Sequence, residues 1–171
     1  MRSGDDASFR EFARDKALPL RRTAYLLCGD WHLAEDLVQT ALIKLYRVWP
    51  KVRRKGPVDN YTRQILMRCW LDERRRPWRS KENRDGVVPE EPSAPADAGI
   101  SDSLLRALAE VPPKQRAAVV LRYCADLPVA EVAVALRSSE GTVRSQASRG
   151  LDVLRAALKR QHDEAVSGRN A

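Results

Sequence analysis

The stretch Leu33-Ala34-Glu35-Asp36-Leu37-Val38-Gln39-Thr40-Ala41-Leu42-Ile43-Lys44-Leu45-Tyr46-Arg47-Val48-Trp49 sets the fold class. Its residues Leu33, Leu37, Val38, Ala41, Leu42, Leu45, Val48 and Trp49 recur at intervals of three and four, which puts them on one broad stripe of a helix. Pro50 is expected to end that helix, because its ring removes an amide donor and crowds the turn before it. Upstream, Phe9, Phe12 and Ala13, followed by Leu20, Ala24 and Leu27, predict helical partners. Downstream, a loop rich in Lys and Arg over 51–57 leads to a helix over 59–76, closed by Pro77. Tyr61, Ile65, Leu66, Cys69 and Trp70 form its buried side. No stretch sustains a period of two, so the fold class is all-α.

Between residues 82 and 102 the sequence turns to Pro, Ala, Asp, Glu and Ser with almost no large apolar residue, the composition of a flexible acidic linker. The chain thus reads as two small helical domains. Leu104, Leu105 and Leu108 open the second, which is broken at Pro112 and Pro113 and resumes through Ala117, Val120, Leu121 and Tyr123. Helices over 128–136 and 140–160, joined by a turn at 137–139, have the form of a helix-turn-helix. Ser139 is placed to cap the second of them. Val143, Ala147, Leu151, Leu154 and Leu158 form its inward stripe, leaving Glu140, Arg144, Ser145, Ser148, Arg149 and Arg155 outward. That face suits base edges and phosphates. The bland alternative is a solvated helix face.

With 171 residues the chain holds one ordinary domain or two marginally stable small ones. Its 31 Lys and Arg against 23 Asp and Glu, a net charge of +8, favour a polyanionic partner. Every apolar run is interrupted by charge, so no membrane segment is expected and the protein is read as cytoplasmic. Cys28, Cys69 and Cys124 are too scattered for a disulfide framework or a zinc site and are expected to be reduced core thiols. His32 and His162 have no ligand pattern around them, and there is no Gly-rich phosphate loop or nucleophile motif. No enzyme activity, metal or cofactor is therefore expected.

Two segments carry a family resemblance. Ala34-Glu35-Asp36-Leu37-Val38-Gln39-Thr40-Ala41-Leu42 resembles the most recognisable segment of the sigma-70 superfamily. Leu127-Pro128-Val129-Ala130-Glu131-Val132-Ala133 with Ser139-Glu140-Gly141-Thr142-Val143-Arg144-Ser145 resembles its last helix-turn-helix. Trp70-Leu71-Asp72 followed by Arg74-Arg75-Arg76, and the short length, look like the extracytoplasmic-function group and its SigE-like branch. The resemblance implies sigma region 2 over 1–80, a flexible acidic Pro-rich linker over 81–102, region 4 over 103–160 and a disordered tail over 161–171. It implies that the chain directs core RNA polymerase to promoters. Glu35, Asp36 and Gln39 would face the polymerase, whose largest-subunit clamp helices and beta flap are the expected partner surfaces. Arg63, Arg68, Trp70, Arg74, Arg75 and Arg76 would lie along minus-10 promoter DNA, although Trp70 also fits a core position. Thr142, Arg144, Ser145, Ser148 and Arg149 would approach the minus-35 major groove. An anti-sigma protein is a further partner that the group allows.

Three positions depart from the family pattern. Thr40 replaces an acid, which implies a weaker polymerase contact there. Arg68 stands where many relatives carry an Asn near the base-capture pocket and offers donors only, which leaves the minus-10 base preference open. Arg137 stands where relatives often have Gly, and a left-handed backbone costs a non-Gly residue about 1–2 kcal/mol, so another turn geometry is open to it. The competing reading is a plain helix-turn-helix regulator that binds an operator without polymerase, its amino-terminal half serving as sensor or dimerisation module.

Overall fold

The computed structural model describes residues 3–76 and 99–169. The expected linker lies almost wholly outside the described residues, as does Pro77. Among the described residues the secondary structure is entirely helical, and the chain divides into two compact units, Met1–Pro95 and Ala96–Ala171.

In the first unit, α1 (Ser3–Cys28) and α2 (Trp31–Lys55) pack along each other and α3 (Val58–Arg74) closes on both. The turn between α1 and α2 is fixed by Asp30, whose carboxylate accepts from the Leu33 amide at 3.0 Å and caps α2. The α2 stripe supplies the core through Ala34, Leu37, Val38, Ala41, Leu45 and Trp49. Trp49 meets Phe9 and Phe12 of α1 with ring centroids 5.2 and 5.1 Å apart, and its indole N–H donates to Ser8 Oγ at 3.0 Å.

Contrary to expectation, α2 runs through Pro50 to Lys55. The missing amide leaves one helical bond unmade, but side chains hold the last turns, both to α1 and within α2. Arg53 reaches Ser8 at 3.0 Å and Asp5 at 3.4 Å on α1, and Arg54 Nε donates to the Pro50 carbonyl at 2.8 Å. The expected basic loop over 51–57 shrinks to Gly56 and Pro57, with Gly56 at φ 150° and ψ −156°, a conformation open to glycine. On α3 the buried residues are Thr62, Leu66, Met67, Cys69 and Trp70. Tyr61 is exposed and Ile65 half-buried, because the buried stripe is rotated slightly from the one expected.

In the second unit, α4 (Asp102–Glu110), α5 (Pro113–Val119), α6 (Val129–Leu136) and α7 (Glu140–Arg169) gather around α7. Ser101 caps α4, and Pro113 stands in the first turn of α5, where no amide is needed. Arg116 is buried, and its guanidinium donates to the carbonyls of Val111 (2.9 and 3.1 Å) and Ala109 (3.1 Å), closing the end of α4. After α5 the chain makes one π-helical turn, Val120–Cys124, a wider spacing that redirects it toward α6. Tyr123 projects outward there with Arg122 stacked on it, 5.6 Å from guanidinium carbon to ring centroid.

The tail expected to be disordered from residue 161 is helical as far as Arg169. Gln161 accepts from the Ser103 hydroxyl at 2.6 Å and Arg160 pairs with Glu110, so α7 is anchored well beyond the apolar stripe. Extending an existing helix costs little compared with starting one. The cysteines also divide: Cys69 is buried, Cys28 half-buried with its thiol donating to the Asp30 carbonyl, and Cys124 exposed, so only Cys69 is a core thiol.

Candidate functional site

On α2, Asp36 and Gln39 stand exposed on one outward face, as a spacing of three requires, and Thr40 and Ile43 continue that face. Ile43 is 57% exposed, an apolar residue in the middle of a polar ridge. It was not singled out from the sequence, where it reads as part of an apolar run. Glu35 behaves differently: it is half-buried and its carboxylate accepts from the Trp31 indole N–H at 3.1 Å, which ties it to its own helix.

The arginines of α3 fall into two sets. Arg68 and Arg75 follow Tyr61 at intervals of seven, two helical turns, and all three are exposed along one side. Arg63 lies elsewhere, half-buried, with its guanidinium donating to Asn60 at 3.1 Å. Trp70 is only 1% exposed and belongs to the core, which corrects its placement against DNA. Its ring instead supports Arg74, whose guanidinium carbon lies 5.5 Å from the ring centroid. Arg76 pairs loosely with Glu73 at 3.7 Å. The run Arg74–Arg76 sits at the carboxyl end of α3, where the helix dipole favours cations.

A cleft between α2 and α3 joins these surfaces, with Asp36, Thr40 and Lys44 on one wall and Cys69, Asp72 and Arg76 on the other. Burial pushes the Cys69 thiol up from its ordinary value, against the opposing pull of the Lys44 ammonium.

In the second unit the turn between α6 and α7 holds Arg137 in the left-handed conformation, φ 51° and ψ 48°. The backbone thus keeps a shape that suits glycine and no other turn geometry replaces it. Ser139 Oγ accepts from the Thr142 amide at 3.1 Å and its hydroxyl donates to Thr142 Oγ1 at 2.8 Å, which fixes the first turn of α7. Val143, Ala147, Gly150, Leu154 and Ala157 face inward, with Gly150 and Ala157 taking the places expected of Leu151 and Leu158. Opposite them, Thr142, Arg144, Ser145, Ser148 and Arg149 are all exposed and form two adjacent rows. Arg144 pairs with Glu140 at 3.2 Å.

Residues 14–80 match the sigma-70 region 2 family and residues 101–154 match sigma-70 region 4. The RNA polymerase sigma-E factor of Streptomyces avermitilis is 33% identical over 93% of this chain and 89% of its own length. The chain belongs to the sigma-70 family. It is a SigE-like member of the extracytoplasmic-function group, a sigma factor that directs core RNA polymerase to promoters and initiates transcription. The SigE sigma factor of Mycolicibacterium smegmatis is 34% identical over 95% of this chain and 67% of its own. Among solved structures, the sigma factor RpoE of Bartonella quintana, in complex with the anti-sigma factor NepR, aligns with TM-score 0.71 and 27% identity over 88% of this sigma factor and 98% of that chain. CnrH in complex with the cytosolic domain of CnrY aligns with TM-score 0.68 at 18% identity over 92% and 91%, which speaks to the fold. No helix among the described residues is long and apolar enough to cross a membrane.

Proposed function

We propose that the two units divide the work of promoter recognition. The first docks on the clamp helices of the polymerase largest subunit through the outward face of α2, with Asp36 and Gln39 as polar anchors and Ile43 as the apolar centre. Glu35 serves that surface by holding its helix. The observation that supports this most directly is the exposure of Asp36 and Gln39 on one helix side, while the apolar stripe of α2 is consumed by α1 and α3.

Along α3, the row of Tyr61, Arg68 and Arg75, with Arg74 and Arg76, faces the minus-10 DNA. Guanidiniums neutralise phosphates, and an exposed aromatic ring offers a stacking surface for an unstacked base. Arg63 contributes from the flank. In the second unit, α7 enters the minus-35 major groove with Arg144 and Arg149 toward guanine edges or phosphates and Thr142, Ser145 and Ser148 between them. Thr142 also completes the helix cap. The beta flap is the polymerase surface for this unit.

Residues 81–102 act as a tether, so that engagement of one promoter element raises the local concentration of the other module at its own. No covalent chemistry is needed, because opening the DNA is offset by binding the displaced bases. The site of action is the cytoplasm. Release from an anti-sigma protein, such as accompanies the Bartonella relative, is the mode of control that fits two small tethered units.

Replacing Asp36 and Gln39 together by Ala lowers affinity for core polymerase by roughly tenfold, on the scale of two interface anchors. Titration of labelled protein with bacterial core enzyme reads this, and circular dichroism checks that helix content is unchanged. Unaltered affinity in a folded variant would remove α2 from the interface.

A further inference from the structure

We propose that Glu140 is a specificity-determining residue of the upstream promoter contact, its carboxylate accepting a hydrogen bond from the amino group of a cytosine near the base that Arg144 contacts. The proposal rests on the reading that α7 enters the major groove.

Glu140 opens α7, and its Oε2 lies 3.2 Å from Arg144 Nη2 with both side chains at least half exposed. Among the charged residues on the outward face of the first three turns, Glu140, Arg144 and Arg149, it is the one acid. A carboxylate in that position repels phosphate, so unless it gains a contact of its own it weakens the face it stands on. As a surface ion pair four residues apart, the Glu140–Arg144 contact contributes little to stability and is free to rearrange on binding.

The chemistry of a carboxylate limits what it can accept from. It has acceptors only. Guanine and thymine present acceptors to the major groove near any donor-seeking group, and adenine sets an acceptor beside its amino group. Cytosine presents a donor alone, which makes it the base a carboxylate selects. Residues four apart on a helix are about 6 Å apart along its axis, and base pairs are stacked about 3.4 Å apart. Glu140 and Arg144 therefore address positions within two base pairs of each other, and the ion pair orients the guanidinium for its own contact. The Ser139–Thr142 cap fixes the turn from which Glu140 projects.

Transcription by the full-length protein with bacterial core polymerase, on a promoter library randomised across the upstream element, tests this. The wild type selects cytosine at one position, within two base pairs of the position relaxed by Arg144→Ala. Glu140→Gln shifts that cytosine preference toward adenine by about tenfold, since a carboxamide pairs with both the amino group and N7 of adenine. Glu140→Ala loses the preference at that position alone. If both variants select the same bases as the wild type at every position, even with uniformly tighter binding, Glu140 is only a charge at the helix end and the proposal is overturned. If the wild type initiates from the library but Arg144→Ala relaxes no upstream position, the reading that Arg144 contacts a base fails first, and the proposal for Glu140 with it.

Discussion

At position 137 the chain uses arginine where a left-handed backbone favours glycine. The conformation is kept because the turn serves the ends of α6: the Arg137 amide donates to the Val134 carbonyl at 3.2 Å and the Ser138 amide to the Ala133 carbonyl at 3.0 Å. The strain costs about 1–2 kcal/mol, and glycine gives back part of it through a more disordered unfolded chain. Arg137→Gly is therefore expected to stabilise the second unit by about 0.5–1 kcal/mol. A higher urea midpoint measures it, and an unchanged or lower midpoint would mean that the Arg137 side chain makes up the difference. Single residues were unevenly legible in the sequence. The periodicity of α3 placed Trp70 in the core, and it is there; the family likeness placed it against DNA. Tyr61 lies at the edge of the same stripe, where a ring with a polar tip satisfies either side and spacing does not choose.

Among the elements, α5 and α7 approach each other closely at Gly150. A β-carbon on Gly150 would lie 2.7 Å from Val119 Cγ2 and 3.0 Å from the Gln115 carbonyl oxygen. Gly150→Ala should therefore destabilise the second unit by about 1–3 kcal/mol although alanine is the better helix former. Thermal unfolding of the full chain measures this, and a stabilised variant would show that the two helices can separate without loss. The helices themselves were legible because their apolar residues repeat at helical spacing. What depended on contacts between distant segments was not: the course of α2 through Pro50 and the continuation of α7 past residue 160. Each is decided by a partner that local sequence does not contain, namely Ser8 with Asp5, and Ser103.

For the whole molecule, two small helical cores with an acidic stretch of sequence between them belong to a chain of net charge +8. The exposed positions of Asp36 with Gln39, and of Arg144 with Arg149, were legible because helical spacing determines which faces turn outward. The division of the α3 arginines into separate rows was not, since it depends on how far the buried stripe is rotated. Each surface so placed is meaningful only if the chain joins a larger machine and gives it sequence choice. The most direct measurement is in vitro transcription by bacterial core polymerase, with and without this protein, on a library of promoter fragments. Initiation that requires the protein, from fragments sharing two separated elements, is the predicted result. Failure to bind core enzyme, together with no initiation above the core background at any fragment, would contradict it.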